Sequence, residues 1–230
     1  MLDATKTVDL PKLRFYLDWM YNNHVYPEGE SGFHKDLTTQ VVKQYIDPIG
    51  LKKDDVILDL GCGPGYFLDE MKERGYTKLT GITLSPDDIK LCQSKGHTIK
   101  QYDLSFLPQA DGYDDESVDF IFCRHALEHS PFPIITLIEY NRVLKQNSKL
   151  YIEVPAPDCD RYHEANLNHY SIMGPRMIDR LLNRTGFDVD DFKTIEFDLT
   201  VGQKEDGSPQ VARERFYCIV ATKKRPLDIK

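Results

Sequence analysis

The sequence predicts an α/β protein: a doubly wound, seven-stranded sheet, mostly parallel, closed by an antiparallel C-terminal hairpin. Three observations predict it. Short apolar runs alternate with amphipathic helical patterns, a glycine cluster joins the first run to its helix, and beyond Gly186 the pattern turns strand-like.

Two helical pieces come first, around residues 13–21 and 37–46. The link between them, "YNNHVYPEGESGFH", is rich in aromatic residues and histidine, and with Trp19 it supplies Tyr21, Tyr26, Phe33 and His34 for a lid. Residues 1–50 are therefore read as a helical cap and 51–230 as the main domain. Buried parallel strands are expected at 56–60, 79–84, 118–123 and 150–154, with a weaker one at 98–102. Between them, "SPDDIKLCQSKG" is a punctuated helix with Ser85 as N-cap, Pro86 in the first turn and Gly96 at the stop. "PIITLIEYNRVLK" and "GPRMIDRLLNRTGF" are two further amphipathic helices. "DVDDFKTIEFDL" and "RERFYCIVATKK" then alternate as hairpin strands around the polar stretch "TVGQKEDGSPQVA".

The 230 residues, 40% hydrophobic and 29% charged, suffice for a full core. A formal net charge of −8 argues against a sequence-independent grip on nucleic acid. Five scattered cysteines without a C-x-x-C pair exclude a disulfide framework or zinc ribbon. No apolar stretch reaches the roughly twenty residues needed to cross a bilayer. A cytoplasmic chain with neither membrane nor nucleic-acid partner is expected.

The glycine cluster, "VILDLGCGPGYFLDEM", is not the dinucleotide fingerprint. Gly61 and Gly63 fit G-x-G-x-x-G, but Tyr66 takes the third position and the second strand ends in Thr83 rather than an acid. "DLGCGPG" instead resembles the first motif of class I S-adenosylmethionine-dependent methyltransferases, which have a Rossmann-like sheet. "IKQYDLSFLP" and "SVDFIFCRHALEHSP" are similar to that family's adenine-site stretch and its fourth-strand exit. The resemblance implies S-adenosyl-L-methionine as cofactor. It would place Asp59, Gly61, Cys62, Gly63 and Gly65 at the amino-acid end, and Asp103 and Leu104 at the adenine. Arg124 and His125 would lie near the sulfonium. Thr83 and Leu84 stand where most members carry a ribose-binding acid, as in the "G-x-T-L-S" stretch of cyclopropane-lipid synthases and phosphoethanolamine methyltransferases. Asp88 supplies the missing carboxylate or caps its helix. An Asp59 carboxylate could accept hydrogen bonds from an ammonium group or the glycine amides.

"HALEH" also matches the H-x-x-E-H metalloprotease pattern, which needs both histidines on one helix. His125 follows a strand and Pro131 and Pro133 come soon after, so that helix is not expected, no metal site is assigned, and Glu128 and His129 are read as supports of the turn. After the fifth strand, "PAPDCDRYHEANLNHYSIMG" is long, polar and on the ligand-binding rim. Its Asp158, Asp160, His163, Glu164 and His169 offer acid–base groups or cation ligands. His169 is the foremost base and His125 its competitor. The expected activity is methylation at oxygen or nitrogen of a small-molecule acceptor such as a sugar, lipid head group or secondary metabolite. The alternatives are cofactor binding without catalysis and, less favoured, a metal hydrolase built on HALEH.

Overall fold

The computed structural model describes residues 8–157, 159–204 and 206–227. Its strands are β1 (Val56–Leu60), β2 (Lys78–Ile82), β3 (Ile99–Lys100), β4 (Val118–Arg124), β5 (Leu144–Pro155), β6 (Phe187–Gln203) and β7 (Pro209–Lys223). They form one sheet in the order β3-β2-β1-β4-β5-β7-β6. The first four pairings are parallel. The two involving β7 are antiparallel. This is the expected Rossmann-like sheet with its closing hairpin. The chain runs outward from β1 to β3, then returns to lay β4 on the other side of β1. That reversal opens a crevice at the strands' carboxyl ends.

Both sheet faces are buried, and alternation along each strand divides the core. Leu58, Ile121 and Cys123 face Leu137, Tyr140, Ile178 and Leu182 from helices α5 (Pro133–Val143) and α6 (Pro175–Arg184). Ile57, Phe120 and Phe122 face the other way, toward Phe67 and Met71 of α3 (Tyr66–Glu73). There Phe122 lies between Phe67 and Tyr151, with ring centroids 3.9 and 5.2 Å apart. The two N-terminal helices behave differently. Helix α1 (Leu10–His24) buries none of its residues. Helix α2 (Gly32–Val41) continues into a π-helical turn, Val42–Ile46, whose Val42, Tyr45 and Ile46 join the Phe67 layer.

Three boundaries depart from expectation. Strand β5 begins at Leu144, straight out of α5, because an irregularity in its pairing with β4 admits polar Gln146 and Asn147 before the apolar run. Strands β6 and β7 run far beyond their alternating segments, so the polar connection shrinks to residues 204–208. Backbone pairing carries them outward, and the charges on edge strand β6, among them Lys193, Glu196 and Asp198, discourage further strand addition. Helix α4 (Pro86–Ser94) starts where its cap predicts, with Ser85 Oγ accepting from Asp88 N at 3.2 Å.

The far end of the sheet is closed by a buried amide. Asn141 on α5 donates through Nδ2 to the carbonyls of Thr185 and Arg225, at 2.9 and 3.0 Å. Its Oδ1 accepts from Leu227 N at 3.3 Å. Replacing Asn141 with alanine strands two carbonyls, and chemical denaturation should show a loss of roughly 2–3 kcal/mol. An unchanged midpoint for Asn141→Ala would mean that the clamp contributes nothing.

Candidate active site

At the carboxyl ends of β1, β2 and β4, a cavity of about 290 Å³ opens under the N-terminal segment. Its sheet side is lined by Gly61, Gly63, Thr83, Leu84, Asp88, Asp103, Leu104 and His125. A smaller polar chamber of about 40 Å³ on the other side of the glycine turn is lined by Asp59, Gly61, Cys62 and Arg124. These two spaces gather the sequence-predicted cofactor residues except Gly65. That residue adopts φ +83° to start α3, and a Cβ there would meet Cys92 Sγ at 2.8 Å.

The glycine turn is held from below. The N–H groups of Gly61 and Cys62 both donate to the Ile82 carbonyl of β2, at 2.9 and 3.1 Å. Asp59 is therefore not their acceptor, a correction to the expectation, because the close parallel pairing of β1 and β2 puts a backbone carbonyl there first. Gly61 has φ +79°, and a Cβ on it would lie 2.2 Å from Ala126 Cβ, so only glycine lets the turn meet the β4 exit. Burial, with Cys92 and Glu28 nearby, holds the Asp59 carboxyl well above the usual carboxylate range.

Asp103 follows β3. Its Oδ1 accepts from Ser105 N and its Oδ2 from Tyr21 Oη of α1, both at 2.7 Å. A carboxylate has about four acceptor positions, so capacity remains for an exocyclic amine. Thr83 Oγ1 accepts from Ser85 N at 3.2 Å. Ser85 caps the helix by accepting from Asp88 N, while the Asp88 carboxylate meets the Ser85 side chain and the Glu28 backbone N–H. Asp88 is also part of the cavity wall.

At the β4 exit, His125 takes a left-handed backbone (φ +49°) and donates its N–H to the Glu153 carbonyl at 2.8 Å. Such a conformation in a non-glycine residue costs about 1–3 kcal/mol and marks functional sites. The Glu153 carboxylate pairs with Arg124 Nε at 2.7 Å and His125 Nε2 at 3.0 Å, and accepts from Tyr151 Oη at 2.7 Å. Burial opposes ionisation of Glu153, but these partners outweigh it and bring its pKa down to about 2. Burial likewise opposes charge on His125, yet Glu128 and Glu153 raise its pKa to about 9. His125 is a cation at neutral pH, not the competing base the sequence suggested. The HALEH segment forms only a three-residue turn, Leu127–His129, so its histidines do not share a helix and the protease pattern is absent.

His169 does not line the cavity. It sits behind His129, which does, with ring centroids 4.8 Å apart. Burial lowers its pKa, which keeps its imidazole neutral. Of the other loop candidates, Asp160 accepts from Arg213 N at 3.0 Å and His163 pairs with Glu214 at 2.6 Å. Asp158 lies outside the described residues. In the lid, Tyr21 and Tyr26 line the cavity and His34 the small chamber, whereas Trp19 and Phe33 are exposed.

Sequence reasoning missed Glu28, whose carboxylate lies against Gly63, 2.8 Å from where a Cβ would stand. Burial raises its pKa, with His125 and His129 opposing. Nothing in one sequence separates this glutamate from other link residues. His129, by contrast, was visible in HALEH, and its Nδ1 is now seen bonded to the Asn168 carbonyl at 2.9 Å.

Comparison with known proteins agrees with this geometry. The methyltransferase-domain family profile matches residues 34–191. The 27-O-demethylrifamycin SV methyltransferase of Amycolatopsis mediterranei is 25% identical over 155 residues, covering 62% of this chain and 57% of that protein. The tRNA U34 carboxymethyltransferase of Aliarcobacter butzleri is 24% identical over 194 residues, covering 79% of this chain and 61% of that protein. The chain thus spans little more than half the length of these relatives. In fold it resembles the SAM-dependent methyltransferase of Archaeoglobus fulgidus, with a TM-score of 0.62 at 21% identity over 91% of this chain and all of that one. With the glycine turn, the crevice beside β1 and the family match in agreement, the chain belongs to the methyltransferase-domain family, on the class I S-adenosylmethionine-dependent fold.

Proposed function

We propose that this chain methylates oxygen or nitrogen of a small-molecule acceptor. One observation supports this above others: a single cavity unites the glycine turn, the Asp103 carboxylate and the strained β4 exit. The residues suit S-adenosyl-L-methionine. Arg124 Nη2 is buried without a hydrogen-bond partner in the chamber wall, and suits a carboxylate; Asp59 and Glu28 suit an ammonium group. Asp103 and the Leu104 amide would hold the adenine, and Thr83 and Asp88 the ribose.

S-adenosylmethionine, when bound, supplies an electrophilic methyl carbon on a sulfonium. The protein's part is to align, to exclude water and to receive a proton when the acceptor is a hydroxyl. Residues Tyr21, Tyr26 and Glu28 of the lid segment shield the cavity. His125, already protonated, is paired with Glu153 and takes no proton. The other side of the site is His129 and His169, with Nδ1 of His129 donating to the Asn168 carbonyl at 2.9 Å.

The acceptor class rests on the net charge of −8, the small volume of the cavity and the rifamycin-modifying relative. A tRNA nucleoside is the second reading, favoured by the relatives named tRNA U34 carboxymethyltransferase. A cytoplasmic location accords with five free cysteines and with the lack of any helix, among the described residues, long and apolar enough to cross a membrane. The deciding experiment incubates the chain with S-adenosylmethionine and either hydroxylated or amine-bearing small molecules or unfractionated tRNA, following donor depletion. Depletion only with tRNA would overturn the small-molecule reading.

S-adenosylhomocysteine should stabilise the fold by about 2.7 kcal/mol at one hundred times its dissociation constant. Asp103→Ala should weaken that binding by roughly 1–3 kcal/mol in calorimetry. A melting shift with NAD but none with S-adenosylhomocysteine would reverse the assignment. His169 stands behind His129 and acts through it, so His169→Ala should lower turnover on a hydroxyl acceptor by on the order of 10²–10⁴ with S-adenosylhomocysteine affinity nearly intact. Stability should respond to His125 as well. Its folded pKa lies above the ordinary 6.5, so the contribution is complete below about 6.5 and is lost as pH rises through about 9. The melting temperature should fall across that window in the wild type and stay level in His125→Gln; parallel curves would remove His125 from the linkage.

A further inference from the structure

We infer that Glu128, His129 and His169 form a divalent-cation site on the acceptor side of the cavity, and that the cation binds the acceptor's hydroxyl oxygen. One ligand atom from each of the three lies within 4.8 Å of the others. Glu128 is 1% exposed, and its Oε2 is buried with no hydrogen-bond partner. Its Oε1 has His125 Nδ1 at 3.4 Å. A buried carboxylate oxygen without a donor is costly, and a cation is the partner that removes that cost. His129 is oriented as metal-binding histidines are: Nδ1 on a backbone carbonyl, Nε2 free.

The backbone holds the ligands in place before any ion arrives. The Glu128 carbonyl accepts from Tyr170 N and Ser171 N at 2.8 and 3.1 Å, which ties the β4 exit turn to the loop carrying His169. Ser171 Oγ adds a bond to the Ser130 carbonyl at 2.8 Å. Two imidazoles and one carboxylate suit a borderline first-row ion, such as manganese, iron or zinc in the divalent state, better than magnesium or calcium. Three protein ligands leave positions for an acceptor oxygen, and His129 and Asn168 of this wall border the cavity. The neighbouring Cys159, His163 and Glu214 cluster differs. Glu214 Oε1 already accepts from His163 Nε2 and Arg215 N at 2.6 and 3.0 Å, and Oε2 faces Arg161 Nε at 3.5 Å. No orphaned oxygen calls for an ion there.

The acceptor half of this inference rests on the methyl-transfer reading; the cation half does not. A bound cation makes the hydroxyl more acidic, so its proton leaves to solvent. The oxygen lone pair then forms the new carbon–oxygen bond, and the methyl–sulfur bond breaks with its electron pair kept by sulfur. The products are the methyl ether, S-adenosylhomocysteine and the released proton.

The test titrates the full chain, stripped with chelator and free of cofactor, with manganese(II) under electron paramagnetic resonance. We expect one tight ion per chain, with affinity reduced at least roughly tenfold by His169→Ala and by Glu128→Gln. Cys159→Ser should bind as the wild type does. His169 lies on a loop, so His169→Ala reports even if the buried Glu128 variant fails to fold. No binding at millimolar manganese, or binding indifferent to His169→Ala, overturns the site. S-adenosylhomocysteine should bind the stripped chain unchanged; if it does not bind while manganese does, the methyl-transfer reading fails and the cation site stands. Turnover on a hydroxyl acceptor that survives chelation in full overturns the acceptor half.

Discussion

One buried carboxylate, Glu153 near the end of β5, organises the site. Its Oε1 faces Arg124 and His125, and its carbonyl accepts the His125 amide. That triple hold carries the chain through a left-handed residue at the end of β4 and so directs Ala126 against Gly61, with Glu128 and His129 following in the turn. Breaking a buried ion pair by removing one partner costs about 3–5 kcal/mol, so these residues act as one unit. The glycine turn and the β4 exit are two sides of one contact, and Glu153 stands behind it.

The N-terminal segment completes the site. Tyr21 donates to Asp103 across 82 positions of sequence, Glu28 donates its amide to Asp88, and His24 meets Tyr170. The carboxylates Asp103 and Asp88 of the cavity wall are thus the ones that anchor the segment above them. Helix α1 buries none of its own residues, so polar contacts at the cavity wall are a principal hold on it. Asp103 and Asp88 both line the cavity, and a carboxylate has acceptor capacity beyond these contacts.

Charge separates the two ends of the site. Toward Glu153 the groups are ionised, with Arg124 and His125 cationic beneath the cavity. Toward the loop before α6 the side chains are His129 and His169, and burial favours the neutral form of the latter. The buried carboxylates between them stay low in pKa because cations flank them, not because water reaches them.

The sequence by itself determined the strand order's raw material. Apolar runs, the glycine turn and the caps at Ser85 and Gly186 are local signals, and each is decided within a few residues of backbone sterics and hydrogen bonding. They made the sheet, its closing hairpin and much of the cavity wall legible, including Asp103 and the β4 exit. The strand ends at Gln203 and Pro209 were not legible, because pairing across the hairpin overrode their polar composition. Tertiary structure alone decided that Glu28 lies on Gly63, that Ile82 and not Asp59 receives the glycine amides, and that His169 stands behind His129. It also decided the proton on His125, since that depends on Glu153, which is 28 residues away in sequence and 3.0 Å away in space. Burial and charge are properties of neighbours brought together by folding, and no single segment carries them.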